Sequence, residues 1–269
     1  MKPAIYLFLV IPCAAMAQQG DYSMGARSSA LGGTQVALTD QYSVFNNPGM
    51  VASLQKSAIL FSVKNLYAME GLYAFGAAYN HQYRQGAFMI SLYRFGDQLF
   101  SEHKIGLGYS HGIRFVSLGI QVNYLQHAIE SIGSSGSLVI EAGGMARIFP
   151  EITLGAYVFN PIRAEMRGYS SESVPVVMKV GLAYQPDEKT LLICEAERDL
   201  NTPTLIKVGM EYILKEKLPL RTGVVFNPSR ISVGFGIYLK KFELDYSAEM
   251  DPELGMTNQF SITYLIEKK

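Results

Sequence analysis

Two pairs of acidic residues, Glu195 with Glu197 and Glu243 with Asp245, stand two positions apart, a spacing that could hold a cation or divide general acid and base roles. In an extended chain residues i and i+2 share a face, so a strand with a polar lining produces such pairs without any chemistry, and neither pair lies in a metal-ligand loop. The four histidines, His81, His103, His111 and His127, show no i, i+4 pairing and fall in or beside predicted turns, where they read as rim residues. Gly133-Ser134-Ser135-Gly136 comes nearest to a nucleophile turn, but no histidine and acid stand in frame with it. Gly106-Leu107-Gly108 and Gly234-Phe235-Gly236 open no helix, which a phosphate loop requires. These residues predict no enzyme, no metal and no cofactor.

The elements that position them show clearest in Arg230 to Lys240, where Ile231, Val233, Phe235, Ile237 and Leu239 alternate with Ser232, Gly234, Gly236 and Tyr238. A strand turns successive side chains to opposite faces, so this one has an apolar face and a small or polar face. The pattern returns over residues 57–66, 71–80, 86–95, 102–110, 113–126, 137–148, 151–160, 174–185, 189–198, 204–214, 218–227, 230–240, 241–249 and 257–267. Fourteen such segments predict an all-β fold, an up-and-down antiparallel transmembrane β-barrel with its apolar face to lipid. Each is close to the roughly 9–11 residues a tilted crossing needs, and bacterial single-chain barrels have even strand counts. A secreted β-sandwich, burying the same faces between two sheets, is the soluble alternative.

The amino-terminal MKPAIYLFLVIPCAAMA has one lysine, an apolar run of about ten residues and Ala15-Met16-Ala17, the pattern of a cleaved signal peptide over residues 1–17. Cleavage removes Cys13 and leaves Cys194, so no disulfide framework forms. With 23 basic and 23 acidic side chains the chain has no field to gather nucleic acid. Past residue 17 no apolar run is long enough for a membrane helix, yet 17 Tyr and 14 Phe accompany only 17% charged residues. Export with alternating apolarity predicts the outer membrane of a Gram-negative bacterium, with its lipid as a partner.

On this reading Lys104, Arg114, Glu141, Arg147, Lys179, Lys207, Glu211, Arg221, Glu243 and Asp245 line the lumen. Alternation is enforced there, because Lys or Arg facing lipid costs about 2–4 kcal/mol near the midplane. The repeats ending in Tyr109, Tyr184 and Tyr212, together with Tyr79 and Tyr264, put five tyrosines on the apolar face at the ends of even-numbered strands, an interfacial rim. Connections after even strands are short and those after odd strands longer, notably Gln126 to Gly136 and Pro161 to Ser173, which makes the tyrosine rim periplasmic.

Residues 18–56, ahead of the barrel at 57–269, do not alternate. Gly25-Ala26-Arg27, Ala30-Leu31-Gly32-Gly33, Val36-Ala37-Leu38, Asp40 and Asn47-Pro48-Gly49 resemble the amino-terminal signature of FadL-like outer-membrane proteins of the PorV/PorQ family, although alanine usually follows the proline there. The resemblance implies that this segment packs as a hatch in the lumen, with Ala30, Gly32, Gly33, Asp40, Asn47 and Pro48 its signature residues. It also implies a scaffold or accessory role in type IX protein secretion and surface attachment, beside a larger secretion or attachment partner. FadL-like relatives that pass hydrophobic small molecules give the alternative.

Overall fold

The computed structural model describes residues 21–169, 172–200 and 202–267, so the expected signal peptide lies outside the described residues. Fourteen strands form one closed antiparallel wall: β1 Ser57–Asn65, β2 Tyr73–Tyr83, β3 Gly86–Gly96, β4 Phe100–Ile113, β5 Val116–Ile129, β6 Gly133–Phe149, β7 Ile152–Phe159, β8 Val177–Tyr184, β9 Thr190–Asp199, β10 Leu205–Leu214, β11 Leu218–Phe226, β12 Arg230–Tyr238, β13 Phe242–Asp251 and β14 Gly255–Ile266. Each pairs with its sequence neighbours, and β1 closes on β14 from Ser57↔Ile266 to Asn65↔Asn258. Closure leaves the wall no unpaired edge, which a sheet in hydrocarbon cannot tolerate. A two-residue strand, Arg167–Gly168, is added to β6 where β6 outruns β7.

All fourteen predicted strands are present. The predicted long connection from Gln126 to Gly136 is not: β5 and β6 stay paired from Gln126↔Gly136 to Ile129↔Gly133, leaving a turn at residues 130–132. Its serines and glycines lack an apolar rhythm, but backbone pairing does not need one. The connection between β7 and β8, residues 160–176, is long as expected, and Asn160 opens it at φ 55°, a left-handed conformation that asparagine tolerates. The histidines lie on strands near their ends rather than in turns, because β2, β4 and β5 run further than the alternation shows.

The outward face is apolar across the middle of the wall, with Leu107 62% and Val180 58% exposed among many large side chains. No water-soluble monomer shows such a surface, so the wall faces lipid, and the sandwich alternative falls with the closed sheet. A fourteen-stranded cylinder encloses more space than its own side chains fill. Residues 21–54, with helices α1 Ala26–Ala30 and α2 Ser43–Asn46 and a 3-10 turn Pro48–Ser53, lie against the inner face of this wall. Ala26, Leu31, Val36, Val44 and Met50 are fully buried there.

Close approach depends on wall glycines. A side chain on Gly223 would overlap Gly32, one on Gly155 would overlap Val36, and one on Gly143 would overlap the Asn47 side chain. Gly209 meets Leu31, Gly181 meets Val36 and Gly234 meets Ala30. Gly106 does not face this segment; it makes room for the side chains of Gln121, Asn123 and Ser91 within the wall.

Candidate functional site

The inner face carries three polar networks, two of which end on residues 21–54. In the first, Glu211 on β10 accepts from Arg27 Nε at 2.9 Å and Nη2 at 2.6 Å, and also from Arg221 on β11. Arg221 donates onward to Asp245 Oδ1 at 2.6 Å and to the Tyr238 hydroxyl at 2.7 Å. In the second, Glu195 Oε2 accepts the backbone N–H groups of Gln35 and Val36, both at 2.7 Å, while Lys207 bridges Glu195, Glu197 and the carbonyl of Gly33. Lys179 stands 3.1 Å from Glu197. The Glu195–Glu197 pair therefore binds lysines and backbone amides, and neither carboxylate is placed for acid–base work.

The hydrogen bonds of the third network stay within the wall, and the amino-terminal segment meets it only through an aromatic ring. Lys104 Nζ donates to Glu141 at 2.7 Å, Asn123 donates to the same oxygen at 3.1 Å, and the ammonium lies 5.0 Å from the ring centre of Tyr22. Apart from Arg27, which is partly exposed, these charges are nearly dry, and a dry charge is tolerated only when paired and hydrogen-bonded.

Three residues expected in the lumen depart from that group. Arg114 is the first residue of the two-residue turn between β4 and β5 and is exposed. Arg147 keeps the face of Glu141 and Met145, still in register with Thr153, but lies so near the end of β6 that it is exposed at the rim. Glu243 is half-buried on the Asp245 face and forms no ion pair among the described residues.

The signature residues of the amino-terminal segment have specific placements. Gly32 and Gly33 are consecutive left-handed residues at φ 74° and 71°, which an L side chain would strain, and the Gly32 N–H donates to Ser232 Oγ at 2.9 Å. Asn47 Nδ2 donates to the carbonyls of Val36 at 2.7 Å and Gly144 at 3.2 Å, while its Oδ1 caps the Pro48–Ser53 turn through Gly49 N–H. Pro48 rests on Gly119, and Ala30 on Gly234. Gly49, where the resembling family has alanine, lies on Gly143 and Gly144 with no room for a Cβ. Burial pushes the Asp40 carboxyl up to about 6 against the pull of Arg27, and its Oδ2 has no hydrogen-bond partner.

Between this segment and the odd-strand ends lies a cavity of about 400 Å³, lined by Met24, Leu66, Leu72, Tyr93, Phe95 and Phe100 with charged groups among them. Two ion pairs edge it, Lys64 standing 3.9 Å from Asp21 and Arg230 donating to Glu249 at 2.9 Å, while Glu102 lies 3.6 Å from His127, beyond hydrogen-bond distance. Sequence reasoning missed this site. Its signal was Tyr93 and Phe95, aromatic residues on the inward face of β3 that Ala87, Met89 and Ser91 share. Arg27 also carried a signal, as the one charged residue between Asp21 and Asp40. A larger hollow of about 680 Å³ lies on the apolar outer wall, over the small residues Gly144, Ala156 and Ala196.

Tyr79, Tyr109, Tyr184, Tyr212 and Tyr264 all point outward near the ends of even strands. Tyr79 and Tyr109 each share a 3.1 Å hydrogen bond with the histidine two residues on, His81 and His111. An interfacial role needs an aromatic body, so Tyr109→Phe and Tyr184→Phe should fold with normal yield, while the double alanine variant should lose yield and melt earlier in lipid. Unchanged yield and melting with both alanines would remove the tyrosines from the interface.

No family model matches the chain, and no curated protein matches it in sequence. Solved structures do. The CymD monoaromatic hydrocarbon channel superposes with a TM-score of 0.72 at 11% identity, covering 93% of this chain and 99% of that one. The Pseudomonas putida toluene transporter TodX gives 0.71 at 11% identity, covering 92% and 100%. A Pseudomonas aeruginosa FadL homologue gives 0.60 at 13%, covering 90% and 97%. At such identities the likeness is one of fold, and the fold of this chain is the fourteen-stranded barrel of FadL-like channels.

Proposed function

We propose that this chain is a non-enzymatic outer-membrane channel that passes hydrophobic small molecules, with residues 21–55 as its hatch. The observation that carries the reading is the aromatic-lined cavity between the hatch and the odd-strand rim. It is concave, and its aromatic and aliphatic side chains sit among polar and charged groups that could orient a small molecule. The mixed charges of the lumen counted against apolar cargo on sequence grounds. In the structure most of them are engaged in holding the amino-terminal segment or in pairing within the wall.

Structural neighbours of known cargo carry hydrocarbons, which supports transport over the secretion scaffold. The scaffold reading rests on the short amino-terminal resemblance alone. Uptake of a labelled monoaromatic hydrocarbon by cells producing this chain should exceed that of cells with an empty vector. Phe100→Lys, which puts an unpaired charge into the cavity, should slow uptake several-fold with normal amounts of folded barrel. Uptake at the empty-vector level would sink the transport reading.

A further inference from the structure

The chain is neutral overall, but its charges are not evenly placed. Three consecutive tight connections on the even-strand rim, residues 84–85, 114–115 and 150–151, carry or adjoin Arg84, Arg114 and Arg147. The first two are tied by Gly112 N–H to the Gln85 carbonyl at 2.7 Å, the last two by Arg147 N–H to the Phe115 carbonyl at 2.8 Å. All three arginines are exposed, and none has an ion-pair partner among the described residues. The acid of this sector, Glu151, is exposed and pairs with none of them.

Arg84 and Arg114 hold φ of 54° and 56°, a region that glycine or asparagine enters more readily. Two arginines kept at a backbone cost in equivalent turns call for a use of the side chain. Beside them stand exposed aromatic rings: Tyr83 at 53%, Phe115 at 60% and Phe149 at 57%, with the Arg84 guanidinium 5.3 Å from the Tyr83 ring centre. Strand spacing sets successive turns about 10 Å apart along the rim, so the three guanidiniums form a row rather than a point.

We propose that this sector, from β2 to β7, is a binding site for the phosphate headgroups of anionic glycerophospholipids. A guanidinium presents a planar fork of donors that matches phosphate oxygens, and unpaired arginine at a membrane surface is drawn to anionic lipid. The rings beside each arginine occupy the layer where acyl chain gives way to headgroup, and Tyr79–His81 and Tyr109–His111 continue that layer along the rim. The site does not depend on what crosses the lumen.

The test reconstitutes the full chain into phosphatidylcholine vesicles and compares trace spin-labelled phosphatidylglycerol with spin-labelled phosphatidylcholine at the protein surface. The intact barrel should prefer phosphatidylglycerol by at least about fivefold, and R84Q/R114Q/R147Q should bring the ratio close to one. Each single Arg→Gln change should remove part of the preference, which keeps the test open should the triple variant fold poorly. The control K215Q/K217Q/K240Q, on the same rim in another sector, should leave most of it. No preference in the intact protein, full preference in the triple variant, or equal loss in the lysine control would each overturn the site.

Discussion

Deleting residues 21–55 is expected to turn a nearly non-conducting barrel into one that passes steady ion currents in planar bilayers. The wall should survive the deletion, because its closure runs through backbone pairs between β1 and β14 and between every sequential pair of strands. The lumen should not stay closed. Glu195, Lys207, Glu211 and the wall glycines now face residues 25–49, and without that segment they face a water-filled pore wider than their own side chains can block. Insertion is checked by heat-modifiable migration, and gating by conductance. Equal conductance with and without the segment would show that it does not obstruct the lumen. Faster hydrocarbon uptake by the deleted chain, with loss of discrimination by size, would tie the hatch to transport.

How far the sequence led depended on which force was at work. Lipid outside and polar groups inside impose a period of two on every strand, so all fourteen strands and the face of each paired charge from Lys104 to Asp245 were legible. Arg114 was misplaced because a tight turn breaks that period, whereas Arg147 keeps its face and is exposed because β6 ends there, and no side-chain pattern marks either strand end in advance. The small residues of the amino-terminal segment suggested close packing. Which glycine meets which residue is another matter: Gly223 and Gly32 lie nearly two hundred positions apart, and only the closed barrel brings them together. The cavity escaped notice for a different reason. Tyr93 and Phe95 stand on the inward face, where an apolar ring fits neither the lipid-facing nor the charge-lining rule, and that misfit marks a site.

Glu211→Gln should loosen the amino-terminal segment without dissolving the wall. Glu211 is the acceptor shared by Arg27 and Arg221, and it is 2% exposed. Its loss leaves Arg27 with the carbonyl of Thr39 at 3.4 Å, while Arg221 keeps Asp245 and Tyr238. Removing one partner of a buried pair costs about 3–5 kcal/mol, and here the cost falls on the docking of the segment that carries Arg27. The variant should insert and migrate as a folded barrel, yet be cleaved near residues 21–55 by added protease and show intermittent current where the intact chain is expected to be nearly non-conducting. Adding Arg27→Gln should recover part of the protection, since a neutral pair leaves no uncompensated charge in the dry interior. Protection equal to that of the intact chain in Glu211→Gln would mean that the glycine contacts and the Glu195 amide cradle hold the segment by themselves. A loss that Arg27→Gln does not relieve would place the damage at Arg221, in the wall.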